Sequence, residues 1–180
     1  MTRMGSSLAA ILAVLLPLTL SGALSGRADD SAGKEVILKA ADITPKLMPE
    51  TVFFRGQTAP VQIRNSAGVR FFDGLYTLAA IVDSSGYSSG IREKYQGYLI
   101  TEVALDFGGQ TVQPGAYGFG FLSGGKFVVM DLGAHDVFQA ASQRDGDLKR
   151  PVPLQIAAAS AGGTYRLYTG RDFVEFRRAR

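Results

Sequence analysis

From Thr51 onward, short apolar runs alternate with turn-forming residues every eight to twelve positions, the punctuation of β-sandwiches and small barrels. Thr51–Arg55 and Val61–Arg64 flank Gly56-Gln57-Thr58-Ala59, which reads as a turn. Asn65-Ser66-Ala67-Gly68 reads as a reversal into Val69–Phe72, and Asp73-Gly74 reverses the chain again into Leu75–Val82. The Asp-Gly pair is the sharpest hairpin cue, because a type I′ turn needs positive φ at both central residues. Ahead of these runs, Lys34–Ala40 predicts a first strand. Asp42–Glu50 carries Pro45 and Pro49 and predicts irregular extended chain, since proline cannot donate to a ladder.

Asp83–Gly90 is the most loop-like stretch, with no side chain expected to serve a core. Ile91–Phe107 predicts two strands bent at Gly97, and its second half alternates strictly. Leu99, Thr101, Val103, Leu105 and Phe107 face one way, and Tyr98, Ile100, Glu102, Ala104 and Asp106 the other. Hairpin turns follow at Gly108-Gly109 and Pro114-Gly115. In Ala116–Leu122, Tyr117, Phe119 and Phe121 share a face while Gly118 and Gly120 leave the opposite face bare. A second sheet, a flat ligand or an apolar cavity could lie against that bare backbone. Lys126–Leu132, Val152–Ala158, Thr164–Tyr168 and Phe173–Phe176 complete the strand pattern, with a charged loop over Asp145–Pro153. A short helix is expected near Val137–Ser142, capped by Asp136 with Gln139 at its third position. The fold class that follows is all-β, an antiparallel β-sandwich or small β-barrel with at most one short helix.

The first residues change the length of the working domain. Arg3 precedes an uncharged run from Leu8 to Leu20, and Ser21-Gly22-Ala23 offers small residues for a peptidase. Thirteen residues fall short of the ~20 that a helical span needs. The expected layout is a signal peptide over 1–23, a disordered lead-in over 24–33 and a single β domain over 34–180, exported to a periplasm or beyond the cell. With no cysteine in 180 residues, the mature chain can carry neither a lipid on a cysteine nor a disulfide. Composition agrees with the strand pattern: 22 glycines, 11 Phe and 7 Tyr, and no Trp. The net charge of +3 belongs to the ends. Setting aside Arg3, Arg177, Arg178 and Arg180 leaves 15 of the 19 basic residues against 16 acidic ones. The three terminal arginines read as a solvated tail, and no basic stripe argues for nucleic acid.

Candidate chemistry is sparse. His135 is the single histidine, and its neighbour Asp136 points to the other face of an extended chain, so an orienting carboxylate must come from elsewhere. Glu102 is the candidate for that role. If its strand face is inward, the carboxyl's pKa rises unless Arg64, Arg70 or Arg92 pairs with it; if outward, it is a surface charge. The nucleophile-elbow spacing Gly-x-Ser-x-Gly is absent. One histidine without cysteine argues against zinc, and Asp83-Ser84-Ser85 and Asp145-Gly146-Asp147 read as turns rather than calcium loops, so no metal is expected. No Gly-x-x-x-x-Gly-Lys-Ser/Thr run or other cofactor motif occurs, and no cofactor is expected. Tyr87, Tyr95 and Tyr98, close to the Ser-Gly loop, could form an amphipathic binding rim.

The run Gly108-Gly109-Gln110-Thr111-Val112-Gln113-Pro114-Gly115-Ala116-Tyr117, followed by an alternating strand and Gly125-Lys126-Phe127-Val128-Val129, resembles a bacterial family of exported β-sandwich proteins of unassigned function. The resemblance implies a fold and an export route, and carries over no catalytic residue. The expected function is a non-catalytic exported module that binds a small ligand, glycan or protein partner. A small hydrolase or isomerase built on His135 with a carboxylate, and a lipocalin-like carrier with a cavity behind Gly118 and Gly120, are the alternatives.

Overall fold

The computed structural model describes residues 33–180. The segment read as a signal peptide and all but the last residue of the expected lead-in lie outside the described residues. In chain order the strands are β1 (Val36–Lys39), β2 (Thr51–Phe54), β3 (Gln57–Arg70), β4 (Tyr76–Val82), β5 (Gly97–Thr101), β6 (Leu105–Phe107) and β7 (Gln110–Val112). They continue with β8 (Gly115–Leu122), β9 (Lys126–Met130), β10 (Asp136–Ala141), β11 (Gln143–Arg144), β12 (Gln155–Ala158), β13 (Thr164–Thr169) and β14 (Asp172–Arg178). One α-helix, α1 (Ser89–Lys94), and a 3-10 turn at Ala40–Asp42 complete the elements.

The first sheet runs β1-β3-β4-β5-β8-β9-β10 with β2 paired to β3, and the second runs β12-β13-β14-β6-β7 with β11 paired to β14. All pairings are antiparallel, and neither sheet closes on itself. With 53% of the described residues in strands and 6% in helices, the protein is an all-β sandwich. The run after Gly97 is two strands rather than one, since β5 ends in the first sheet at Thr101 and β6 begins in the second at Leu105, but Leu99, Thr101, Val103, Leu105 and Phe107 are all buried as the alternation predicts. They join Phe119, Phe127, Leu167 and Phe176 in the core between the sheets.

The first sheet is covered on its outer face as well, which explains the nearly unbroken apolar run of β4. Leu78 and Ala80 pack there under Ile43 and Met48. Val128, Met130 and Tyr98 pack under Phe54, Tyr87 and Tyr95, carried by β2, the 83–88 loop and the residue that ends α1. The 83–90 segment therefore does serve a core, through Tyr87, and its end continues into a helix rather than the first of two strands.

Four further expectations are corrected. Residues 65–68 do not reverse the chain; they lie inside β3. Gln62 opposes Ile81 and Ser66 opposes Ala80, so Ile63, Arg64 and Asn65 bulge out of the ladder. Their turn-forming chemistry closes the bulge: Asn65 Nδ2 donates to Gln62 Oε1 at 2.8 Å, and Ser66 Oγ donates to the Ile63 carbonyl at 2.6 Å. The turn before β3 is the tighter pair Arg55-Gly56, both at positive φ. Residues 137–141 form β10, because Phe138 and Ala140 pack on the inter-sheet core and pairing with β9 overrides the local capping pattern. Finally, Arg177 and Arg178 are not a solvated tail. They end β14, opposite Asp106 and Leu105 of β6.

Candidate functional site

Where edge strand β1 of the first sheet faces edge strand β12 of the second, the sandwich opens into a groove of about 330 Å³. Its floor is the core itself, since Ala67, Leu154 and Ile156 are buried there and Ile37 packs against them. Period two along β1 puts Lys39 on the same face as Ile37, and Lys39 sits opposite Ala67 of β3. Three residues before Ala67, the bulge brings Arg64 and Asn65 to the rim. A bulge is a common device for re-aiming side chains beside a binding site.

The opposite wall is Val152 and Pro153, and Val152 leaves 42% of its surface exposed. This wall is held from below. The Gly170 N–H donates to the Val152 carbonyl at 3.1 Å, Tyr168 Oη donates to Asp145 Oδ2 at 3.0 Å, and Arg171 donates to the carbonyls of Asp145 and Gly146. Lys39 and Arg64 form no ion pair among the described residues. No His, Asp or Glu lines the groove, and the one hydroxyl there, Ser66, is already donating to Ile63. Such a lining offers hydrocarbon below and two cationic side chains at the rim.

A larger depression of about 600 Å³ lies between residues 161–164 and 177–180. Two of the three arginines lining it are already engaged: Asp106 accepts from Arg177 at 2.7 Å, and Asp73 lies 2.7 Å from Arg178, which also stacks over Phe72. Glu35 at its edge accepts from Tyr165, whose phenol is pushed up first by burial and then by that carboxylate.

The structure brings Tyr87, Tyr95 and Tyr98 together but buries all three, which corrects the expected binding rim. Tyr95 stacks on Phe54 with ring centroids 3.8 Å apart, and Tyr87 meets Tyr95 edge-on. Tyr87 donates to the Phe54 carbonyl and Tyr98 to that of Phe53, so the cluster fastens β2 onto the sheet. Burial raises the pKa of each phenol. The bare glycine face is what admits them. A Cβ on Gly118 would lie 2.5 Å from the Phe54 ring, and one on Gly120 would lie 2.1 Å from the Lys94 carbonyl oxygen. That face is filled by the protein's own rings and helix, which leaves the carrier reading no space behind Gly118 and Gly120.

His135 stands on the turn between β9 and β10 with 81% of its side chain exposed. Its Nδ1 lies 3.0 Å from Asp131 Oδ2, and the His135 and Gly133 backbone N–H groups donate to Asp131 Oδ1. Those bonds, the His135 backbone N–H first, hold the Asp131 carboxyl below the usual range. Glu102 is elsewhere: it accepts from the Tyr76 N–H at 2.8 Å on an exposed strand end. Asp131 is thus the partner of His135, and Glu102 is not. Asp83 and Asp145 use their carboxylates to accept backbone N–H groups of their own turns.

Lys39, Arg64 and Val152, which shape the groove, escaped sequence reasoning. The available signal was the polar triplet Gln62, Asn65 and Ser66 interrupting an apolar strand, which marks a bulge as readily as a turn. The chain matches no protein-family model, no curated protein and no solved structure.

Proposed function

We propose that this protein is an exported, non-catalytic binding module that takes a small, largely apolar ligand in the groove between β1 and β12. One observation carries the reading: along this corner a groove reaches down to the inter-sheet core, with Ile37, Ala67, Leu154 and Ile156 as its floor. At about 330 Å³ the groove falls at the small end of ligand pockets, roughly 300–1,000 Å³.

The test is titration with a neutral solvatochromic dye such as Nile red. Saturable binding with a blue-shifted emission is expected, and it should be abolished by Val152→Trp, which fills the mouth from an exposed position, and by Ala67→Leu, which fills the floor. Thermal melts identify which variants remain folded. No saturable binding by the native protein, or undiminished binding by a folded plugged variant, overturns the assignment.

A further inference from the structure

We infer that the groove's ligand is a monoanionic amphiphile, a carboxylate head on an apolar chain of about ten heavy atoms; this rests on the binding role proposed above. The chemistry of the rim sets the head group. Lys39 and Arg64 both line the cavity, and neither has a carboxylate partner among the described residues. Cations without an ion pair are common on this surface, and what distinguishes Lys39 and Arg64 is that both line the same apolar-floored cavity. The nearest acidic side chain in sequence, Asp42, is turned to the backbone, where its Oδ2 accepts from the Lys39 N–H at 2.9 Å.

Both cations are hydrogen-bond donors with no acceptor capacity, so they are complementary to an anion and unsuited to a second cation or a donor-rich head. The floor sets the tail. Ile37, Ala67, Leu154 and Ile156 offer only hydrocarbon, and with ~30 Å³ per water-sized unit the volume holds about eleven such units. The head therefore belongs beside Lys39 and Arg64, and the chain runs over the core toward Val152.

Calorimetric titrations of the native protein with decanoate, decanol and decyltrimethylammonium at low ionic strength test this. Decanoate is expected to bind about tenfold more tightly than decanol, with the ammonium compound weakest. The advantage of decanoate should vanish in the double variant Lys39→Glu/Arg64→Glu, whose exposed positions leave folding intact, and should shrink as salt is added. Equal affinities for decanoate and decanol, or an unchanged preference in the folded double variant, overturn the anionic head while the groove reading stands. Failure of all three ligands together with Nile red overturns both.

Discussion

Thr101 has a single hydroxyl proton, and its placement shows how a buried polar pair is wired. Its Oγ1 lies 2.6 Å from the Val103 carbonyl and 2.8 Å from Thr77 Oγ1, and both threonines are buried. The carbonyl can only accept, so Thr101 donates to it, and Thr77 must then donate to Thr101. The two substitutions are consequently unequal. Thr77→Val removes a donor whose partner stays bonded, and should cost about 1 kcal/mol. Thr101→Val strands the Thr77 proton and both the N–H and the carbonyl of Val103, and should cost about 2–3 kcal/mol. Urea denaturation of the two variants checks the order, and equal losses would refute this wiring. The inward side chains from Leu99 to Phe107 were legible in the sequence, but the crossing between sheets at residues 102–104 was not, because the alternation runs through it unbroken. Tyr87, Tyr95 and Tyr98 were misjudged because their burial depends on Phe54, which reaches them from β2, more than thirty residues earlier.

At the scale of elements, α1 is a six-residue helix that owes its place to an absence in its neighbour. Isolated helices this short are not stable in water, so packing must hold it. Gly120 allows the Lys94 carbonyl to press on β8, Gln96 bonds both the N–H and the carbonyl of Phe121, and Lys94 reaches Asp136 on β10. Gly120→Ala would set a methyl 2.1 Å from that carbonyl oxygen, which cannot rotate away. The helix must lift, at about 1–3 kcal/mol. Hydrogen exchange should show the α1 amides losing protection, while those of β13, in the other sheet, are affected far less. The strands were readable because apolar runs and turn residues mark them locally. The bulge in β3 was not, because Asn65 and Ser66 would close a turn with the same hydrogen bonds. Nor was β10, whose Asp136 and Gln139 do bond each other, at 3.0 Å, but across a strand rather than a helical turn.

The whole molecule responds to acid through carboxylates bonded within the fold. Asp106 is held below the usual range by the Gly109 N–H and then Arg177, Asp131 by His135, and Asp83 by Ser85. A carboxyl lowered on folding contributes stability that is complete above its unfolded pKa of ~3.9 and is lost as pH falls through its folded value. The melting temperature should therefore hold steady down to about pH 5 and drop below about pH 4, as a calorimetric pH series would show. The end of β14 gives a second prediction at this scale. Deleting residues 177–180 removes the pairings of Arg177 with Asp106 and Arg178 with Leu105, and the bond from Ala179 N–H to the Ala104 carbonyl. A loss of about 3 kcal/mol is expected, against a smaller one for Arg177→Gln/Arg178→Gln, which keeps the backbone bonds. The overall sandwich could be foreseen from strand spacing, while the groove depends on how two edges far apart in sequence meet. The position of β14 also orders the protein's biosynthesis. It is the last described strand to be synthesised, yet it sits between β13 and β6, whose residues were made about seventy positions earlier. While the ribosome is still making 172–178, β6 and β7 are without their neighbour, and sheet two can join only after that final segment emerges.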